Sequence, residues 1–172
     1  MDDYICPECH LDYGTIDRGS IGARLRTFGP AVRKQLNGID DKVARTRPAP
    51  EVFSALEYAA HLSDAYDAFV DMTEGMPRGA DMREFFWDPD DRAQEQGYNA
   101  RPVGDVLDEL DTNAGRLADA AAALGDDDWS VTAQFPWGER DLFTMLQNAV
   151  HEGVHHGQDI DNVLARVSAA SD

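Results

Sequence analysis

An apolar stripe between Val103 and Leu124 constrains the fold of this chain more than any other feature. Its members are Val103, Val106, Leu107, Leu110, Ala114, Leu117, Ala121 and Leu124. Their spacing follows the helical period of about 3.6 residues, and polar residues fill the positions between them. Pro102 suits the first turn of such a helix, and Gly125 ends it. Because a helix that is apolar along one whole face must bury that face, the stripe predicts a helical bundle.

Three further segments carry the same period, so the sequence predicts four long helices. The first covers about residues 17–36, and the last covers about residues 139–169. The second covers about residues 54–75 and opens with a capping box, in which Ser54 is the cap and Glu57 follows three residues later. The predicted fold class is therefore all-α.

The connections between these helices predict how they are arranged. Pro30 lies inside the first predicted helix and predicts a kink or a break. Residues 77–101 show no consistent period and are too long for a tight turn, so we expect a crossover that makes helices two and three parallel. Its aromatic residues, expected across one end of the bundle or over a binding site, are Phe85, Phe86, Trp87 and Tyr98. No alternating stretch is long enough to predict a sheet, and residues 132–138 are predicted as a loop.

The sequence thus predicts one domain, a four-helix bundle of residues 15–172 with up-down-down-up topology. A short segment of residues 1–14 precedes it. The chain of 172 residues has 15 basic and 33 acidic side chains, and its net charge of −18 argues against nucleic acid or an anionic membrane as a partner. No apolar run approaches the roughly 20 residues of a membrane span. No secretory signal is visible, so we expect a cytoplasmic protein with reduced cysteines.

The short amino-terminal segment carries Cys6 and Cys9, followed directly by His10. This spacing matches the attachment signal of c-type haem, but that chemistry requires export. It also matches a zinc knuckle that His10, another part of the chain or a second chain would have to complete. A turn with reduced thiols and a redox pair are the other interpretations.

The last predicted helix carries three histidines beside a glutamate. Its helical phase places Glu152 and His156 on the flank of the buried stripe, and it places His151 and His155 among polar residues. A carboxylate and an imidazole one turn apart on a buried flank are costly to desolvate unless they are paired or bound to a metal. The phase therefore predicts that Glu152 and His156 face the interior.

A partner for this pair lies in the second predicted helix. His61 is at the edge of the apolar stripe there, and a histidine at such a position is an ordinary boundary residue unless the last helix directs its own ligands at it. Two imidazoles and one carboxylate suit zinc first, and also nickel, cobalt or iron(II). Three protein ligands leave one coordination position open, which is typical of catalytic sites.

Two other ligand sets are compatible with the same segment. His151, Glu152 and His155 fit the His-Glu-x-x-His pattern of zinc peptidases, although the two histidines then lie on the polar side of the helix. A set of His61, His151 and His155 results if the helical phase is wrong by one residue.

Two stretches, residues 53–64 and 150–160, resemble the DinB-like superfamily, the bundle proteins that include mycothiol-dependent maleylpyruvate isomerase and bacillithiol S-transferases. The family places its last-helix ligands eight and four residues before an aliphatic residue, which is Ile160 here. The resemblance therefore selects Glu152 and His156, as the helical phase does. The mycothiol-dependent branch uses glutamate at the first of these positions and looks like the closer match.

The resemblance covers about residues 16–168 and implies a metal-dependent thiol S-transferase or isomerase. His61, Glu152 and His156 would hold the metal, which would lower the pKa of a low-molecular-weight thiol such as mycothiol. The thiolate would then attack an electrophilic or isomerisable small molecule. No separate catalytic acid or base is identifiable from the sequence.

Two auxiliary expectations accompany this assignment. Asp64 lies one turn from His61 and is expected either to orient its free ring nitrogen or to be a solvated surface carboxylate. An anionic thiol would need a local positive patch on this acidic protein, for which Arg140 and Arg83 are the candidates. Bundles of this kind also often form homodimers through an exposed face.

Besides the zinc peptidase, the sequence leaves two alternative functions open, and neither is enzymatic. One is a bundle that binds a metal or a partner without turnover. The other is a stress- or redox-responsive bundle in which Cys6 and Cys9 respond to oxidation.

Overall fold

The protein is described by a computed structural model that covers residues 4–82 and 87–170. Its helices are α1 (Arg18–Leu36), α2 (Asp41–Arg45), α3 (Ala55–Gly75), α4 (Pro89–Glu95), α5 (Val103–Ala122) and α6 (Leu142–Ala169). Its strands are β1 (Thr132–Phe135) and β2 (Gly138–Asp141). Single turns of 3-10 helix lie at Tyr13–Thr15, Met76–Arg78, Tyr98–Ala100 and Asp128–Ser130. The long helices α1, α3, α5 and α6 form a four-helix bundle, which confirms the predicted fold class.

Charged contacts between α1 and α5 show that these helices are antiparallel. Arg26 binds Asp119 at 2.5 Å, and Arg33 donates from Nε to Asp111 at 3.0 Å. The residue number therefore rises along α1 while it falls along the facing stretch of α5.

The contacts between α3 and α5 show the opposite relation. Asn113 donates to the backbone oxygen of Ser63 at 3.1 Å, and one turn further along both helices Arg116 binds Asp67. These two helices are parallel, as the long connection between them predicts, because a tight turn would have made them antiparallel.

Helix α6 runs in the same direction as α1. Gln147, near the start of α6, donates to the backbone oxygen of Ile16, which lies just before α1, at 3.2 Å. Gln35, near the end of α1, donates to the backbone oxygen of Gly157 at 2.8 Å. The bundle therefore has the predicted up-down-down-up topology, in which α3 packs against both α5 and α6.

Helix α3 begins with the predicted capping box. The amide of Glu57 donates to Ser54 Oγ at 3.2 Å, and the amide of Ser54 donates to Glu57 Oε2 at 2.9 Å. Arg47 adds two hydrogen bonds to the same carboxylate, at 2.8 and 2.7 Å. Together these bonds fix the start of the helix that carries His61.

The structure differs from the sequence-based prediction in three places. Residues 132–141 form the β1–β2 hairpin instead of a loop, with Thr132 paired to Asp141, so α6 begins at Leu142 rather than near residue 139. Asp141 then caps α6 by accepting from the amide of Thr144 at 2.7 Å. Of the kink or break predicted at Pro30, the break is absent: helix α1 continues through Pro30, and its buried face packs against both α5 and α6. The third difference is the short helix α2 inside a predicted connector.

The crossover between α3 and α5 contains α4 and brings aromatic side chains towards α3. Tyr98 is fully buried, and the ring of Trp87 lies 5.6 Å from that of His61. Phe85, Phe86 and Arg83, for which the sequence also raised expectations, lie outside the described residues. Within the described part of the chain, no helix is both long and apolar enough to cross a membrane.

Candidate metal centre

The side chains of His61, Glu152 and His156 converge between α3 and α6. One ligand atom from each lies within 4.8 Å of the others. Glu152 Oε2 is 3.0 Å from His156 Nε2 and 3.8 Å from His61 Nε2. The two imidazole rings lie edge to face, with centroids 4.9 Å apart. The structure therefore brings the three predicted ligands together.

The neighbouring polar groups hold one imidazole more firmly than the other. His156 Nδ1 lies 2.9 Å from Asp159 Oδ2, and a carboxylate at this position fixes the orientation of a ligating imidazole. His61 Nδ1 is buried and has no hydrogen-bond partner among the described residues. Asp64 does not orient it, because its carboxylate accepts from Arg92 Nε at 2.7 Å and from the hydroxyl of Tyr98 at 2.8 Å. Asp64 instead ties the crossover to α3.

The protonation states at this site reflect the close packing of the three groups. Burial raises the pKa of Glu152, but hydrogen bonds from His156 and His61 lower it by more than burial raises it. The net pKa is therefore well below the usual range of a carboxyl. Burial lowers the pKa of His156, but the hydrogen bonds to Asp159 and Glu152 raise it to about 9. A bound cation would displace the proton that His156 shares with Glu152 and would bind the ionised carboxylate, so the group can hold a metal.

The three side chains line a cleft of about 580 Å³. Its walls are mainly apolar and aromatic and include Phe53, Tyr58, Phe69, Met72, Trp87 and Trp137. The other charged residues of the lining are Glu51 and Asp90, and no lysine or arginine is among the described lining residues. Arg140 does not supply the expected positive patch, since it is not among the described residues that line the cleft; it lies on the hairpin and donates to the backbone oxygen of Glu139.

The remaining histidines of α6 belong to a second group, which contains Cys6, Cys9, His151 and His155. The ligand atoms of these four residues also lie within 4.8 Å of one another. The helical phase placed His151 and His155 on the polar side of the helix. In the structure they do not face solvent there, because the amino-terminal segment covers them. His10 is exposed and is not part of the group.

The division of the α6 side chains bears on the other predicted ligand sets. In a zinc peptidase, the two motif histidines share one metal and the glutamate stands beside it. Here His151 and His155 group with thiols, and Glu152 groups with His61 and His156. The arrangement therefore does not favour the peptidase set, and it does not favour the set of His61, His151 and His155.

The thiol of Cys6 is buried and electrostatically unusual. Burial raises its pKa, but hydrogen bonds with the backbone of Cys9 and Glu8 and with the rings of His151 and His155 lower it to about 6. Cys9 is also a free thiol, and burial raises its pKa. At neutral pH the pair therefore holds one thiolate beside two imidazoles.

A family model of the DinB superfamily matches residues 24–160, about four fifths of the chain. The chain belongs to the DinB superfamily. The match spans α3 and most of α6, so it includes all three residues of the His61 site. No curated protein matches the chain at a significant level.

Two solved structures of low sequence identity share the fold. YfiT from Bacillus subtilis, described as a probable metal-dependent hydrolase with an unusual four-helix bundle topology, superposes with a TM-score of 0.77 at 14% identity, over 90% of this chain and 91% of that chain. The mycothiol-dependent maleylpyruvate isomerase superposes with a TM-score of 0.70 at 15% identity, over 94% of this chain and 71% of that chain. At these identities, the likeness establishes a DinB-type bundle.

Proposed function

We propose that this chain is a metal-dependent thiol S-transferase or isomerase. His61, Glu152 and His156 hold one divalent metal ion, with zinc the first candidate and nickel, cobalt or iron(II) the others. The co-substrates are a low-molecular-weight thiol such as mycothiol and a small electrophile. The observation that carries this proposal is the convergence of three ligand side chains at the wall of a cleft large enough for a small molecule.

The donor set fits a catalytic metal better than a structural one. Two imidazoles and one carboxylate are borderline-to-hard ligands, and three protein ligands beside a cleft would leave a coordination position available to a substrate. When bound, such a metal lowers the pKa of a coordinated thiol and so supplies a nucleophile at neutral pH. His61 directs Nε2 towards Glu152, and its buried Nδ1 has no hydrogen-bond partner among the described residues.

The side chains around the ligands pack on the imidazoles and orient them. Phe53 and Trp87 pack on the ring of His61, with centroids 6.1 and 5.6 Å away. Tyr58 packs on the ring of His156 at 5.3 Å, and Asp159 holds its Nδ1. Because the wall is apolar, the local dielectric constant is low, and this strengthens the attraction between a metal ion and a bound thiolate.

The charge of the cleft selects among thiols. Glu51 and Asp90 lie in its wall, and no lysine or arginine is among its described lining residues. Carboxylate-bearing thiols would be repelled, whereas a thiol with a neutral sugar-like remainder, as in mycothiol, would not. The electrophile is expected to be small and largely apolar, because apolar and aromatic side chains make up most of the wall.

A kinetic comparison tests this proposal. The metal-loaded protein is incubated with a thiol and a chromogenic aryl halide, and thioether formation is followed by absorbance. We expect catalysis with a neutral thiol and much less with glutathione. The Glu152→Gln variant should lose the rate enhancement, whereas Gln158→Ala, an exposed position on the same helix, should retain it.

Each negative result has a distinct meaning in this comparison. If the wild type binds metal but catalyses no thiol-dependent reaction across a panel of electrophiles, the non-catalytic metal-binding alternative replaces the proposal. If Glu152→Gln is as active as the wild type, the reaction does not use this site.

A further inference from the structure

We propose that Cys6, Cys9, His151 and His155 bind a second metal ion, a structural zinc that fastens the amino-terminal segment to α6. Zinc bonds of about 2.3 Å to sulfur and about 2.0 Å to nitrogen place tetrahedral neighbours about 3.5 Å apart. Cys6 Sγ lies 3.8 Å from His155 Nδ1, and all four ligand atoms lie within 4.8 Å of one another. Small side-chain movements are therefore sufficient to form the site.

The spacing of the four ligands is that of zinc sites. Two cysteines are separated by two residues in a turn, and two histidines are separated by three residues on one face of a helix. Zinc sites with two thiolates and two imidazoles commonly combine such a cysteine pair with such a histidine pair. The sequence alone left the partners of the cysteines open, and the fold supplies them from α6.

The backbone around the cysteines is already shaped as a tight hairpin. The amide of Cys6 donates to the oxygen of Leu11 at 3.0 Å, and the amide of His10 donates to the oxygen of Cys6 at 2.9 Å. His10 has a φ of 58°, a left-handed conformation that few side chains adopt readily. This turn brings both thiols to the same side, close to the two imidazoles.

The two histidines are oriented for binding. His155 Nε2 lies 3.2 Å from a carboxylate oxygen of Glu8 and 3.7 Å from one of Asp159, which leaves Nδ1 facing Cys6. A carboxylate on the outer nitrogen of a ligating histidine is the usual arrangement around zinc. One ring nitrogen of His151 lies within 4.8 Å of the other three ligand atoms, and its Nε2 is buried and has no hydrogen-bond partner among the described residues.

Contacts independent of any metal hold the segment in place. The hydroxyl of Tyr13 donates to Asn148 Oδ1 at 3.0 Å, and the backbone oxygen of Tyr13 accepts from Gln147 Nε2 at 3.1 Å. The ring of Tyr13 also packs on that of His151, with centroids 5.6 Å apart. The site is therefore preorganised in the fold, which lowers the cost of binding a metal.

Four protein ligands close the coordination sphere, so this zinc is structural and does not bind substrate. Two thiolates and two neutral imidazoles balance the charge of Zn²⁺. This neutrality lowers the cost of burying the site, in which only 4% of the surface of Cys6 is exposed. His151 and His155 alternate along α6 with Glu152 and His156. The zinc would thus brace the turn of helix that carries two ligands of the His61 site.

Cobalt substitution tests the assignment, since thiolate ligands give Co²⁺ an intense charge-transfer band in the near ultraviolet. The full-length protein is stripped of metal under reducing conditions and titrated with Co²⁺. We expect this band with tetrahedral visible bands, at a final intensity that corresponds to one thiolate-bound Co²⁺ per chain. The Cys6→Ser/Cys9→Ser variant should lose the band and one equivalent of bound metal, while His10→Asn, which removes the neighbouring exposed imidazole, should change neither.

The wild-type spectrum keeps the test decisive even if the double variant folds poorly. Absence of a thiolate charge-transfer band in reduced wild-type protein at excess Co²⁺ would overturn the proposal. Rapid formation of a Cys6–Cys9 disulfide in air, at equal rates with and without Zn²⁺, would also overturn it and would indicate a redox pair. Because the His61 site contains no thiolate, failure of that site would leave the band intact.

Discussion

Substitution of Gly153 by alanine tests how closely α6 packs in the bundle. A Cβ atom at Gly153 would lie 2.4 Å from Phe28 Cδ2 and 2.4 Å from the hydroxyl oxygen of Tyr66. Both distances are well inside van der Waals contact, so the side chains of Phe28 and Tyr66 or helix α6 itself must shift. Overpacking of this kind costs about 1–3 kcal/mol, whereas exchange of a helical glycine for alanine returns up to about 1 kcal/mol.

Gly157 provides the matched control, because it lies one turn further along α6 and a Cβ there meets nothing within 4 Å. Gly157→Ala should therefore raise the free energy of unfolding by up to about 1 kcal/mol. The two variants should differ by about 1–3 kcal/mol, which for a chain of this size corresponds to roughly 2–12 °C in Tm.

Thermal and urea unfolding, both at a fixed zinc concentration, measure this difference. Zinc must be fixed because a bound metal raises apparent stability by mass action. Equal stability of Gly153→Ala and Gly157→Ala would refute the reasoning, since it would mean that Phe28 and Tyr66 do not press on α6 as described.

Three further predictions concern single side chains around the site. Glu57→Gln should lower the free energy of unfolding at pH 7 by about 1–2 kcal/mol, because it weakens the hydrogen bonds from Arg47. Asp159→Ala should weaken metal binding about 10–100-fold in a chelator competition, since it releases the outer nitrogen of His156. Trp137→Ala should raise KM for the electrophile about tenfold, equivalent to about 1.4 kcal/mol, and leave the bound metal unchanged in elemental analysis, because Trp137 lines the cleft without being a ligand.

The Glu57 prediction carries a pH dependence with a definite sign. Burial raises the pKa of Glu57, but hydrogen bonds from Arg47 and the amide of Ser54 lower it by a larger amount, so the net pKa is below the usual 4.5. Its stabilisation is therefore present above about pH 4.5 and is lost as the pH falls through the lowered pKa. Urea unfolding at pH 7 and pH 3 should show a smaller difference between wild type and variant at pH 3, and a larger difference there would contradict this account.

The other two single-residue predictions have equally clear contrary results. Unchanged metal affinity in Asp159→Ala would mean that its carboxylate does not support His156. Loss of metal from Trp137→Ala would mean that the hairpin shapes the metal site itself rather than the cleft.

The fold could be predicted largely from local signals. The stripe that begins at Val103 and the capping box of Ser54 and Glu57 are features of neighbouring residues, and the structure confirms both. The β1–β2 hairpin was missed because strands of four residues are too short to show a clear alternation. Pro30 does not break α1, because packing of α1 against two helices outweighs a single missing hydrogen bond.

The same distinction explains which parts of the site were found. Glu152 and His156 lie one turn apart, so helical phase alone places them on one flank. The contact between Cys6 and His155 joins residues 149 positions apart, and no local pattern encodes it. The spacing of the cysteines and of the histidines was the available signal, but only the path of the amino-terminal segment across α6 shows that the two pairs meet.

Elemental analysis of the purified, untagged protein tests the central claim most directly. Wild-type protein is compared with the Glu152→Ala/His156→Ala variant after reconstitution with zinc and removal of loosely bound metal. We predict that the variant binds one equivalent of metal per chain less than the wild type while it keeps the helical content of the bundle. Equal metal content in the two proteins would contradict the assignment of His61, Glu152 and His156 as the metal centre.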